Sequence, residues 1–142
     1  MQKMLFHEIH QKSRLSVKEV NDALKEFGLY SSQWSILFCL KQFGPMTQKG
    51  IWQYLNVEAP TVARTVQRLE ETGWVMRKEG EDKRERIVHL SERAEGKVKE
   101  IERRIVGVEE KLLTSLSEDE QRQLMKLLQK IGSPSEREAD HE

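Results

Sequence analysis

The residues whose types and spacing suggest chemistry cluster between positions 59 and 72. Hydroxyl, amide and guanidinium groups recur there at three- and four-residue intervals, so most of them share one face if the segment is helical. Such a face can contact phosphates and the base edges in the major groove of DNA. The residues that we predict to face DNA are Thr61, Arg64, Thr65, Gln67 and Arg68.

These side chains suit different parts of a duplex. Arg64 is the first choice for base reading, because arginine can donate two hydrogen bonds to guanine O6 and N7. We assign Arg68 to the phosphate backbone, and Thr61 and Thr65 to phosphate or to thymine methyl groups. The alternative is an ordinary solvated polar face. Two arginines and two threonines that share this face with no acidic residue favour DNA.

A charged loop follows between residues 74–78 and 86–90, two short segments with β-branched or aromatic side chains. This pattern predicts a β-hairpin with a charged tip. Arg84 would enter the minor groove, where narrow A·T stretches attract arginine, and Lys83 and Arg86 would contact phosphates. The loop also carries the acidic residues Glu79, Glu81 and Glu85. An ordinary charged hairpin tip is therefore the alternative.

Composition limits the classes of protein that remain. The chain has 142 residues, no net charge, 37% hydrophobic and 34% charged residues, and one cysteine. It has neither an apolar run long enough to span a membrane nor a signal-peptide pattern, which predicts a cytoplasmic protein. We find no nucleophile–base set, no phosphate-binding glycine loop and too few histidines near His7 and His10 for a metal. The sequence therefore predicts a protein that is not an enzyme and uses no cofactor or metal.

Two short helices joined by a tight turn must position the polar face. Thr47 is a suitable N-cap for a helix through Leu55, and Pro60 fits the first turn of a helix from about Ala59 to Thr72. A helix-turn-helix followed at once by a hairpin is a winged helix. We predict this unit over residues 30–90, within a single domain that spans residues 1–142.

Apolar stripes run along predicted helices on both sides of the winged helix, within residues 5–28 and 92–131. A compact winged helix offers little to cover them, so we predict that these helices form a homodimer. The fold class is mostly α with a small β-hairpin, and residues 132–142 are a predicted disordered tail. The predicted dimer residues are Val17, Val20, Leu24, Ile101, Ile105, Val108, Leu112, Leu124, Leu127 and Leu128.

Three segments carry a family resemblance: residues 29–37 at the entry to a helix, residues 57–75, and the aspartate-x-arginine and leucine-serine pattern of residues 82–91. In this order and spacing they resemble the MarR (multiple-antibiotic-resistance) family of bacterial transcription regulators. The resemblance implies a repressor that binds a pseudo-palindromic operator as a homodimer, with Asp82 orienting Arg84. The family pattern differs at three positions here, Trp52, Glu58 and Ala94.

The resemblance also implies a small aromatic or anionic ligand, held between the dimer region and the winged helix. Candidate pocket residues are Phe6, His10, Phe27, Tyr30, Trp34 and Phe38. Some relatives sense oxidants through a cysteine, and Cys39 would make this chain a redox-responsive regulator, although free cysteine is often a buried small hydrophobe. A winged-helix dimer that binds protein instead of DNA is the remaining alternative.

Overall fold

The computed structural model describes residues 4–82 and 85–133, and it is mostly helical with one small antiparallel sheet. Its elements, in chain order, are α1 (Leu5–Leu24), a short 3-10 turn (Lys25–Phe27), α2 (Ser31–Phe43), β1 (Met46–Thr47), α3 (Gln48–Leu55), α4 (Ala59–Glu71), β2 (Val75–Glu79), β3 (Arg86–Leu90), α5 (Glu92–Leu112) and α6 (Glu118–Lys130). The helix-turn-helix and the hairpin that follows it lie where the sequence predicts them.

The chain divides into two compact units at Val108. The first unit contains α1 to β3 and most of α5, and its core joins α2, the helix-turn-helix, the sheet and α5. The second unit contains the end of α5 and α6. The fully buried side chains in the core of the first unit include those of Leu24, Leu37, Ile51, Val66, Leu69, Val88 and Ile101. No helix in the described part of the chain is long and apolar enough to cross a lipid bilayer.

The sheet has three strands in the order β1-β3-β2, all antiparallel. Strands β2 and β3 form the predicted hairpin, which together with residues 80–85 is called the wing below. Strand β1 is a two-residue element that the sequence does not predict: Met46 lies opposite Val88 and Thr47 opposite Ile87. This pairing joins the start of the helix-turn-helix to the wing.

The helix ends follow local signals with small shifts. The Thr47 hydroxyl accepts a hydrogen bond from the Gly50 N–H at 3.0 Å, as expected of an N-cap. Helix α5 ends at Leu112, and Thr114 and Ser115, which favour helices weakly, lie in the turn that follows. Helix α6 begins with a capping box between Ser117 and Glu120.

The apolar stripes of α1 and α5 differ from expectation in one respect. Leu24 and Ile101 are 0% exposed and Ile105 is 7% exposed, because they pack into the core of their own unit. These three residues therefore have little surface left for a partner, and Val20 packs partly against the same core. Val108 is half-buried. The predicted dimer residues that remain exposed are Val17, Leu112, Leu124, Leu127 and Leu128.

Candidate nucleic-acid interface

Helix α4 is held in place by one apolar side. Val62, Val66 and Leu69 are each at most 1% exposed, and their spacing of four and three residues fixes the rotation of the helix. Pro60 lies in the first turn, where its missing N–H group has no helical acceptor to lose. Glu58 precedes the helix but makes no side-chain cap. The opposite side of α4 is consequently presented to solvent.

The predicted DNA-facing residues lie on that outward side. Thr61, Arg64, Gln67 and Arg68 are exposed, and Thr65 is half-buried. The Thr65 hydroxyl donates to the Thr61 carbonyl oxygen at 2.8 Å, so its donor is already used within the helix. Arg64 Nη2 lies 3.5 Å from the Thr61 hydroxyl, a long contact that leaves the guanidinium available. We call these five residues the outward face of α4.

An acidic residue, Glu71, lies beside the outward face of α4. Gln67 Nε2 and Arg68 Nη1 approach the two carboxylate oxygens of Glu71 at 3.4 and 3.5 Å. Both contacts are exposed and long, so they are weak. A phosphate group could displace Glu71 from Arg68 at little cost. None of the five residues is itself acidic, but Glu71 contacts two of them at the C-terminal end of the helix.

Beyond α4, the wing presents part of the second predicted cluster. Glu79 and Arg86 lie opposite each other at the end of the hairpin, and Arg86 is exposed. Asp82 is exposed as well, and its carbonyl oxygen accepts the Glu85 N–H at 2.9 Å. Two further candidates, Lys83 and Arg84, lie outside the described residues.

A charged pair joins the wing to α4. Arg77 of β2 donates from Nη2 and Nε to the two carboxylate oxygens of Glu70, at 2.9 and 3.2 Å. This hydrogen-bonded guanidinium holds the pKa of Glu70 below its usual value, and the charge of Arg86 lowers it further. This pair is not among the residues predicted from the sequence. Strand alternation places Arg77 on the same strand face as the buried Val75 and so indicates that Arg77 needs a polar partner, but it does not identify Glu70 as that partner.

The predicted ligand residues lie on α1, on α2 and in the segment between these helices. The rings of Phe6 and His10 lie 6.3 Å apart on α1, and those of Trp34 and Phe38 lie 6.0 Å apart on α2. Trp34 belongs to the core and Phe27 packs partly against it, whereas Tyr30 is 67% exposed. A cavity of about 300 Å³ lies elsewhere, and its lining includes Lys41, His89 and Lys99 but none of the six.

Cys39 is completely buried, and its Sγ lies 3.2 Å from the sulfur of Met46. Burial raises the pKa of the Cys39 thiol, which disfavours the thiolate that an oxidant would attack. This environment favours the packing interpretation. His7 contacts Gln11 at 3.2 Å. Within residues 4–82 and 85–133, no group of three or more potential ligands could hold a metal ion.

A helix-turn-helix whose second helix exposes cationic and hydroxyl side chains, followed by an antiparallel hairpin, defines a winged-helix protein. A sequence model of a protein family, described as the MarR family, matches residues 29–85 of this chain. The uncharacterized HTH-type transcriptional regulator YwoH of Bacillus subtilis is 56% identical over 116 residues, which cover 82% of this chain and 85% of that protein. The chain therefore belongs to the MarR family, whose members are transcriptional regulators and not enzymes.

Solved structures show the same fold. The structure of a mutant MarR from E. coli complexed with operator DNA matches with a TM-score of 0.85 at 22% identity, over 92% of this chain and 95% of that one. Reduced AbfR bound to DNA matches with a TM-score of 0.73 at 26% identity, over 90% of this chain and 88% of that one. Both of these proteins, which share the fold of this chain, were solved in complex with DNA.

Proposed function

We propose that this protein is a sequence-specific DNA-binding repressor that acts in the cytoplasm. The observation that carries the proposal is the division of α4, whose apolar side is buried while its outward face offers Arg64, Arg68 and Thr61 to solvent. The related proteins that were solved with DNA, E. coli MarR and AbfR, support the same use of the fold. The mildly basic character of residues 27–91, with nine basic and seven acidic side chains, is consistent with it.

In this proposal α4 lies in the major groove and the wing reaches an adjacent minor groove. Arg64 reads a guanine, Arg68 exchanges Glu71 for a phosphate, and Arg84 enters the minor groove with Lys83 nearby. A homodimer places two copies of α4 in successive major grooves about 34–36 Å apart, so the operator is pseudo-palindromic.

The second copy of the chain is expected from the apolar surface. Helix α6 has no buried residue, although Leu124, Leu127 and Leu128 lie along it and are each more than two-fifths exposed. In the first unit, Leu5, Phe6 and Val17 of α1 are exposed too. Apolar helix faces of this kind usually mark a partner surface, and a second copy would cover both sets.

We further propose that a small aromatic or anionic ligand weakens operator binding by favouring a different spacing of the two winged helices. The support is the family, together with half-buried aromatic side chains such as Phe27, which follows α1, and Phe38 of α2. Titration of the operator complex with such ligands tests this step. Unchanged operator affinity with every ligand would contradict it.

The experiment that tests the DNA proposal is selection of bound duplexes from a random pool, followed by salt titration of the winning sequence. A two-fold-symmetric consensus whose affinity falls steeply with salt is the expected result, because phosphate contacts release counterions. No enrichment, or binding that is indifferent to salt, would contradict the proposal and favour a protein-binding winged helix.

A further inference from the structure

Glu58 is the residue immediately before α4, and its carboxylate is not engaged. Its carbonyl oxygen accepts the N–H groups of Thr61 and Val62 at 3.1 and 3.2 Å, which fixes its main chain to the first turn of the helix. The carboxylate is exposed, does not cap the helix and has no hydrogen bond or ion pair with any other residue that the structure describes. The fold therefore gives this acid a fixed position but no partner.

Pro60 explains why the carboxylate is not used as a cap. A capping side chain accepts a hydrogen bond from the second or third N–H of the helix. Pro60 occupies the second position and has no N–H, and the third N–H, that of Thr61, already donates to the Glu58 carbonyl oxygen. Thr47 and Ser117, by contrast, cap α3 and α6 with their hydroxyl groups. Stabilisation of α4 thus does not account for an acid at position 58.

The surroundings of Glu58 do not neutralise it either. It lines a groove of about 440 Å³ at the junction of α3 and α4. The other lining residues are uncharged: Trp52, Gln53, Asn56, Val57, Ala59 and Pro60. An exposed carboxylate with no cation among these neighbours would repel the phosphates of a duplex. At a DNA interface it is favourable only where it meets a hydrogen-bond donor.

The donors that DNA offers in the major groove are the amino groups of cytosine and adenine. Glu58 begins the helix that we propose to lie in this groove, and the N-terminal residues of such a helix contact base edges. A carboxylate only accepts hydrogen bonds, so the N7 acceptor beside the adenine amino group would repel it. Cytosine presents its N4 amino group without such a neighbour, and it is therefore the base that Glu58 suits.

We infer that Glu58 is a specificity-determining residue whose carboxylate accepts a hydrogen bond from the N4 amino group of a cytosine in each half of the operator. The inference rests on the proposed function, because it assumes that α4 enters the major groove. The same charge weakens binding to duplexes without a cytosine there, since its repulsion by phosphates and by the oxygen acceptors of guanine and thymine is then not offset. Glu58 thus contributes to selectivity both by attraction to one base and by repulsion of the others.

The sign of the effect of Glu58→Ala on binding tests the inference. This variant should weaken binding to the selected operator by about fivefold or more, because a base contact is lost. It should strengthen binding to unrelated duplexes, because a repulsion is removed. Glu100→Ala removes an exposed carboxylate from α5 and is the matched control, with both affinities unchanged. A change of the same sign and size on every duplex, or no change on any duplex, would overturn the inference.

Exchange of the base identifies the contact. Random-pool selection with Glu58→Ala should lose the preference for cytosine at one position of each half-site and keep the other preferences. Glu58→Gln should move that preference towards adenine, because glutamine accepts from N6 and donates to N7. A cytosine preference that both variants retain would overturn the inference. If the wild-type protein selects no sequence at all, the proposed function itself is contradicted.

Discussion

The guanidinium of Arg93 lies 4.8 Å from the centre of the Trp74 ring, and it donates to the Thr72 carbonyl oxygen at 3.2 Å. Arg93 is in the first turn of α5, Thr72 ends α4 and Trp74 precedes the wing. One side chain therefore holds the end of α4 and the start of the wing against α5. This contact therefore helps to fix the placement of the wing relative to α4.

Removal of that side chain should be measurable as a loss of stability. We expect Arg93→Ala to lower the free energy of unfolding by about 1 kcal/mol, the usual size of an exposed cation–π contact with one hydrogen bond. Urea unfolding followed by circular dichroism is the measurement. Arg103→Ala, at an exposed position of the same helix, is the control. Equal unfolding energies for the two variants would show that the Trp74 contact contributes nothing.

Arg64 should determine one base of the operator. Its replacement by alanine is expected to cost about 1–3 kcal/mol on the selected site and to relax the preference at a single position, because a bidentate contact to guanine is lost. Titration of the cognate duplex and its single-base variants measures both effects. An equal loss on every sequence would assign Arg64 to the phosphate backbone.

The dimer should respond to α6 and not to the buried part of α5. Leu127 is 51% exposed, so Leu127→Glu should weaken self-association at least tenfold while leaving the fold intact, since it places a charge in an apolar interface. Sedimentation over a concentration series measures the change. Gln129→Glu, at an exposed position of the same helix, is the control. A dimer of unchanged affinity would remove α6 from the interface.

The pair between Glu70 and Arg77 makes a pH-dependent contribution to stability. The pKa of Glu70 in the folded protein lies below its ordinary value of 4.5, so the ionised pair stabilises the protein fully above that pH. The contribution is lost as the pH falls through the lowered pKa. Glu70→Gln should therefore be less stable than wild type at neutral pH, and the difference should shrink below about pH 4.5.

A matched variant separates this pair from general charge effects. Glu100→Gln removes an exposed carboxylate from α5 and should show no such pH-dependent difference from wild type. Because the Glu70 side chain is 39% exposed, salt should also reduce the effect of its replacement. A stability difference for Glu70→Gln that stays constant down to pH 2 would contradict the assignment.

Cys39 should behave as a core residue. Its thiol is expected to react slowly with an alkylating reagent in the native protein and rapidly in denaturant, because it is buried and its pKa is raised. Hydrogen peroxide should leave operator affinity unchanged. Loss of DNA binding on oxidation that Cys39→Ala abolishes would restore the redox interpretation.

The sequence was sufficient where the signal is local and periodic. Val62, Val66 and Leu69 indicate both the existence of α4 and its orientation, and the caps at Thr47 and Ser117 mark the helix starts. Each signal needs only residues within one or two helical turns. The outward side of the helix follows from the same periodicity, which is why the exposed positions of Thr61, Arg64 and Arg68 were predictable.

Features that depend on distant partners were not predictable in this way. The apolar stripes that contain Leu24 on α1 and Ile101 on α5 show that these residues must be buried, but not whether the same chain or a second copy buries them. The partner of Arg77 is seven positions away on a different element, so neither helix nor strand spacing reveals it. Strand β1 has two residues, too few for any alternation to be recognised.

Strand β1 also has a consequence for how the chain folds. Its two residues pair with β3 about forty residues further along, and closing so long a loop costs more entropy than two pairs of residues can offset. The helix-turn-helix and the hairpin must form first and shorten that loop. We therefore expect β1 to join the sheet last and to detach first, so that the amide hydrogens pairing β1 with β3 exchange faster with solvent than those pairing β2 with β3.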